Sequence, residues 1–215
     1  MKSIILAGGY GTRFPEYTKR TPKPMIKVGK VPMLTHIMRI FKSYGHNDFL
    51  IAAGYKKNII KSYYKNSLEF KNLKIIDTGK STMTGGRLLR LKPYLIKNEN
   101  FFMTYGDGLC DLNLNKLTKF HNQHKKIASL TAVHPPVRFG ELKIKNNKII
   151  KFDEKPESKS TWINGGFFVL NYKIFNYIKN DKTSFEKKPL EILSQNGELM
   201  SFKHVGFWKC MDNLG

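Results

Sequence analysis

The first chemistry in this chain is Leu6-Ala7-Gly8-Gly9-Tyr10-Gly11-Thr12-Arg13, three glycines in four positions followed by an arginine. The apolar run Ile4-Ile5-Leu6 before it reads as a strand from Lys2 to Leu6. Glycines after a strand allow positive φ and let backbone N–H groups converge on a small anion. Arg13 closes the loop with a planar fork suited to phosphate oxygens. Lys23 follows, between Pro22 and Pro24, which stiffen its backbone. Together these residues suit a triphosphate. Two other glycine motifs are excluded. The dinucleotide fingerprint needs a third glycine where Phe14 stands, and no Gly-Lys-Ser/Thr ends the loop as a P-loop requires.

Four further stretches carry reactive or ligand-binding types. Ser81-Thr82-Met83-Thr84-Gly85-Gly86-Arg87 precedes a helical pattern through Leu88, Leu89 and Leu91. Its hydroxyls and N–H groups could meet a base edge, or Thr84 could simply cap the helix. Gly106-Asp107-Gly108 ends an apolar strand. An open carboxylate there suits Mg²⁺, and an Asp-Gly turn is the other reading. Glu154-Lys155 could hold sugar hydroxyls and a sugar phosphate, or form a surface ion pair. Trp162-Ile163-Asn164-Gly165-Gly166 pairs an amide with two glycines that permit close approach to a ring of hydroxyls.

Leu-Ala-Gly-Gly-x-Gly-Thr-Arg with Pro-Lys-Pro-Met resembles the signature of the sugar-1-phosphate nucleotidyltransferases. The later stretches, with Gly206-Phe207-Trp208, are similar to the cytidylyltransferase branch that uses glucose 1-phosphate, in the same order from Met1 to Leu214. The resemblance implies CTP and glucose 1-phosphate as partners and Mg²⁺ as cofactor. It implies nucleotide contacts at Leu6, Ala7, Gly8, Gly9, Tyr10, Gly11, Thr12, Arg13, Thr82, Arg87 and Gly106. It implies sugar-phosphate contacts at Lys23, Glu154, Lys155, Asn164 and Gly165, metal ligation by Asp107 and Asp212, and catalytic roles for Arg13 and Lys23. Asp212 is picked out by the resemblance alone. Two departures stand out. The family's longer insertion between Tyr64 and Asp77, which helps build its oligomers, is replaced by about a dozen residues that connect the helix and strand. The family also continues past the final aspartate with a helix, whereas this sequence ends at Gly215. The expectation is therefore one nucleotidyltransferase domain over 1–215 lacking that helix, with homo-oligomeric assembly in question.

These residues need a scaffold. Strands are predicted at 48–54, 73–78, 100–105, 127–134 and 199–205. Helices are predicted at 33–44, 57–64, 112–124 and from Pro189. The 141–152 stretch reads differently: Glu141–Lys145 and Lys148–Phe152 form a hairpin about Asn146-Asn147, and Phe167–Leu170 is a buried strand. Strands alternating with helices predict an α/β fold of Rossmann-like type. It is a mostly parallel sheet with helices on both faces and a small β-rich region on the sugar side. In such sheets ligands sit beyond the carboxyl ends of the strands, where Gly8, Gly79 and Asp107 fall. Asp111 is expected to cap the 112–124 helix, with His121 and His124 on its solvated face.

The chain has 215 residues, 40% of them hydrophobic, and a formal net charge of +22. Only six of its 38 basic residues are arginine, and the lysines are dispersed along the chain. Dispersed lysines supply a field without a docking site, so no nucleic acid partner is expected. No apolar run has the length of a membrane span or a signal peptide. Two cysteines without metal spacing fit a reducing cytoplasm. Rival readings are transfer of another nucleotide, and a nucleotide-binding regulatory domain without chemistry.

Overall fold

The computed structural model describes residues 1–12, 15–135, 141–153 and 161–211. Arg13, Glu154, Lys155 and Asp212 lie outside the described residues. Among the described residues, the central sheet has seven strands: β1 (Ser3–Ala7), β2 (Asp48–Ala53), β3 (Asn72–Asp77), β4 (Asn100–Tyr105), β5 (Ala128–Val133), β6 (Ile163–Asn171) and β7 (Leu199–Lys203). Their spatial order is β7-β5-β6-β4-β1-β2-β3. β1 pairs in parallel with both β2 and β4, β3 with β2, and β7 with β5. Of these strands, β6 alone runs against its neighbours, β4 and β5.

Among the described residues, five helices of eight or more residues cover the sheet: α1 (Met33–Ser43), α2 (Lys57–Tyr64), α3 (Thr84–Leu91), α4 (Leu114–His124) and α5 (Lys188–Gln195). Strand alternation decides which face each residue serves. Ile5, Ala7, Phe49, Ile51, Phe102 and Val169 pack under α1, α2 and α4, against Leu34, Ile37, Phe41, Ile60 and Leu117. Ile4, Leu6, Leu50, Met103, Phe168 and Leu170 pack under α3 and α5, against Leu88, Leu91, Leu190 and Leu193. Two cores on one sheet make the expected three-layer α/β arrangement. The hairpin of Glu141–Lys145 and Lys148–Asp153 stands outside that sheet, turned by Asn146 and Asn147 at φ 48° and 62°. A second small ribbon pairs Gly108–Cys110 with Trp208–Cys210.

Three local expectations are corrected. The cap of α4 is Asn113, whose Oδ1 accepts from the Lys116 N–H at 3.0 Å. Asp111 instead pairs with His204 at 2.8 Å. Thr84 is the first helical residue of α3 and not its cap, and its hydroxyl is engaged elsewhere. His121 does not face solvent: it is 2% exposed and lies against Ser129 of β5. The backbone N–H of Lys126 donates to His124 Nδ1 at 2.9 Å, so His124 carries its proton on Nε2 and donates to Ser129 Oγ at 2.7 Å. The Ser129 hydroxyl then donates to His121 Nδ1 at 2.9 Å. Burial pushes His121 down to about 4, helped by His124, and lowers His124 as well.

Candidate active site

The carboxyl ends of β1 and β4 and the amino end of β6 open onto one cleft of about 870 Å³. Leu6 to Thr12 form one wall, Lys80 to Thr84 with Arg87 a second, and Ile163 to Phe167 a third, while Thr104 to Gly108 and Lys23 line the floor. The sequence motifs that lie within the described residues thus converge here: Leu6, Ala7, Gly8, Gly9, Tyr10, Gly11, Thr12, Lys23, Thr82, Arg87, Gly106, Asp107, Asn164 and Gly165 all line it.

The glycine loop is fixed from behind. Gly11 takes φ +65°, and its carbonyl accepts from the Thr18 hydroxyl at 3.1 Å. The Tyr55 N–H donates to the Gly8 carbonyl at 3.1 Å, and the Tyr10 ring rests on Tyr55 with centroids 5.2 Å apart. Gly8 has a second reason to be glycine. A Cβ there would stand 2.1 Å from Arg87 Nη1. Arg87 is only 3% exposed and donates to the Thr78 hydroxyl at 2.8 Å and the carbonyls of Gly79 and Lys80 at 2.7 and 3.1 Å. Burial lowers its pKa from the ordinary arginine value. The guanidinium therefore joins the glycine loop to the loop after β3 while bordering the cleft.

On the floor, Lys23 Nζ donates to Asp107 Oδ2 at 2.6 Å. The lysine side chain is 12% exposed and the aspartate 30%. Pro22 at φ −65° leads into the single turn Lys23–Met25, which aims the ammonium across the sheet end. Gly106 donates its N–H to the Leu6 carbonyl at 3.0 Å, so β4 delivers Asp107 directly beside the glycine loop. The Met211 N–H donates to the Asp107 carbonyl at 2.7 Å, tying the 208–210 strand to the same point.

The third wall is held by side chains. Asn164 Oδ1 accepts from the Gly166 N–H at 2.8 Å, and Trp208 Nε1 donates to the Gly165 carbonyl at 2.7 Å. Sequence reasoning missed Lys80, Ser184 and Glu186 of the cleft, and Glu186 is the most connected of them. The Glu186 carboxylate accepts from the hydroxyls of Tyr105, Thr84 and Ser184 at 2.7, 2.6 and 2.8 Å. Burial, with the Glu186 charge behind it, raises the Tyr105 phenol far above its ordinary range. No spacing marks Glu186. The only signal is an acidic residue between a Thr-Ser pair and the Lys-Lys-Pro that opens α5.

Anion-binding backbone, a paired lysine and aspartate, and polar walls on either side can hold two phosphate-bearing molecules against each other. Comparisons with known proteins agree with that geometry. Residues 2–209 match the family model described as nucleotidyl transferase. The chain is similar to the glucose-1-phosphate cytidylyltransferase of Salmonella typhimurium, at 44% identity over 100% of this chain and 92% of the relative. It is similar to the mannose-1-phosphate guanyltransferase of Aspergillus oryzae, at 32% identity over 97% of this chain and 60% of the relative. The crystal structure of HddC from Yersinia pseudotuberculosis shares the fold, with a TM-score of 0.77 at 24% identity, covering 99% of this chain and 94% of that one. The family match and the full-length likeness together show that the chain belongs to the nucleotidyl transferase family.

Proposed function

We propose that the protein transfers a cytidylyl group from CTP to glucose 1-phosphate, giving CDP-glucose and pyrophosphate. The observation that carries the chemistry is the Lys23–Asp107 pair on the floor, between the glycine loop and the third wall. The 44% identity over the whole chain supports the choice of nucleotide and sugar. A phosphate oxygen of the sugar phosphate forms a new bond to the α-phosphorus of CTP. The bond from that phosphorus to the bridging oxygen breaks, and pyrophosphate leaves with the electron pair. The nucleophile is already an anion, so no general base is required. The barrier lies in bringing two anions together in line, and the protein lowers it by positioning and charge neutralisation.

The residues divide the task. The Gly8–Thr12 backbone with Arg13 holds the β- and γ-phosphates. Lys23 serves the α-phosphate and the incoming sugar phosphate, where negative charge accumulates. Thr82 and Arg87 border the base, and Gly106 lies beside the nucleotide. Asn164 and Gly165, with Glu154 and Lys155, take the sugar. Asp107 offers hard carboxylate oxygens inside the cleft, and Asp212 directly follows Met211, whose N–H reaches the Asp107 backbone. This donor set fits Mg²⁺. Bound there, Mg²⁺ would supply charge neutralisation at the phosphates.

The deciding experiment is pyrophosphate release with Mg²⁺ and glucose 1-phosphate, with CTP, UTP, dTTP, GTP and ATP supplied one at a time. Release with CTP at least about ten-fold above the others is expected, the discrimination of a site that hydrogen-bonds one base edge. Release led by another nucleotide overturns the base assignment. No release with any of them overturns the enzymatic reading.

A further inference from the structure

Glu186 has no role in the reaction described so far, yet it occupies a singular place in the cleft. One carboxylate collects three hydroxyl protons, from three separate segments. Thr84 opens α3, immediately after the base-side residues Thr82 and Met83. Ser184 lies two residues before Glu186 and fixes the carboxylate's own loop. Tyr105 ends β4, directly before Gly106 and Asp107. Hydroxyls are rotors, and each turns its proton toward the strongest acceptor within reach. A carboxylate accepts hydrogen bonds about twice as strong as those to a neutral oxygen, so it sets the direction of all three.

The consequence reaches both walls. The Tyr105 ring, tethered through its hydroxyl to Glu186, lies against Gly166 on the third wall, where a Cβ would come within 2.9 Å of it. The Gly166 N–H in turn donates to Asn164 Oδ1 at 2.8 Å. The orientation of Asn164 on the third wall therefore depends on a carboxylate seated against the second. On that second wall the Thr84 oxygen also accepts from the Phe185 N–H at 2.9 Å, which locks the first turn of α3 to the 184–186 loop. Gly85 permits this approach, because a Cβ there would come within 2.8 Å of the Thr183 carbonyl and 3.4 Å of the Phe185 nitrogen.

We propose that Glu186 is a positioning residue that couples the nucleotide half of the cleft to the sugar half. It holds the base-side turn through Thr84 and orients Asn164 through the Tyr105 ring packed on Gly166. This inference rests on the transferase reading above.

The test is a double-mutant cycle on the whole protein with Glu186→Gln, Tyr105→Phe and the pair combined. KM is measured separately for CTP and glucose 1-phosphate, with the melting temperature of each variant. Tyr105→Phe keeps the ring and removes only the relay. It is expected to raise the KM for glucose 1-phosphate about five-fold, the effect of one lost hydrogen bond, and to leave the KM for CTP within about two-fold. Glu186→Gln is expected to raise both KM values. The double variant should be no worse toward glucose 1-phosphate than Glu186→Gln alone, because both changes break one chain of contacts. Effects that multiply independently overturn the coupling, as does an unchanged sugar KM in Tyr105→Phe. A fall in melting temperature with both KM values unchanged reduces Glu186 to a structural residue and also overturns it. Wild-type protein that turns over CTP while the cycle is additive leaves the transferase reading standing without this inference. Wild-type protein with no turnover removes both.

Discussion

Lys23 is the residue on which most of the proposed chemistry converges, and its surroundings say what its loss would do. It is largely buried and bonded to Asp107, so truncation removes the neutralising charge and strands a carboxylate beside the reacting phosphates. Lys23→Ala is expected to lower kcat by roughly two to three orders of magnitude, by analogy with the loss of one oxyanion donor. Steady-state turnover with saturating substrates checks this, and a near-wild-type kcat would remove Lys23 from the mechanism. The same scale shows what the sequence could carry. Lys23 and Asp107 were legible because prolines and glycines frame them at a strand end. Glu186 was not, since its importance comes from Thr84 and Tyr105, which are remote in the chain and join it only on folding. Arg87 was legible as a residue of the cleft, but not as the strut beneath Gly8, because that contact joins two loops on different strands.

Among the elements, α4 is the instructive one. Its apolar stripe Leu114, Leu117 continues onto His121 at helical spacing, so the stripe itself placed that histidine inward. Polarity argues for solvent and periodicity for the core, and the packing follows the periodicity. The buried pair has a pH signature. His121 is held near 4 when folded against an ordinary value of 6.5, so the unfolded chain takes up the proton first as pH falls. Its stabilising contribution is complete above pH 6.5 and is lost as pH falls toward 4. At pH 5 the loss attributable to His121 is about 2 kcal/mol. Urea unfolding at pH 7 and pH 5 should show a smaller drop in His121→Gln than in the wild type. Equal drops would mean that the imidazole does not titrate with folding. The hairpin at 141–153 was readable from Asn146-Asn147, whose positive φ values few other residues tolerate. The reversal of β6 was not readable, because direction within a sheet leaves no mark on an apolar run such as Phe167–Leu170.

At the scale of the molecule, the charge of +22 is the dominant property and the alternation of strand and helix the dominant pattern. The pattern decides the fold class. The charge bears on rates. Both proposed substrates are anions, and a positive field raises their encounter rate and local concentration until salt screens it. Raising NaCl from about 20 to 200 mM is therefore expected to raise both KM values several-fold while kcat changes little. KM values flat across that range would mean that the lysines are too dispersed to matter.

Because β6 alone enters the sheet backwards, its first residues, not its last, reach the cleft. On the proposed assignment, the nucleotide half is written into strands that arrive at the site, and the sugar half into a strand that departs from it. The long connection from Val133 to Ile163 therefore joins the sheet at the acceptor side only. On that assignment the donor side is carried by strand ends pointing at the cleft, and the acceptor side by the beginning of the one strand that points away from it.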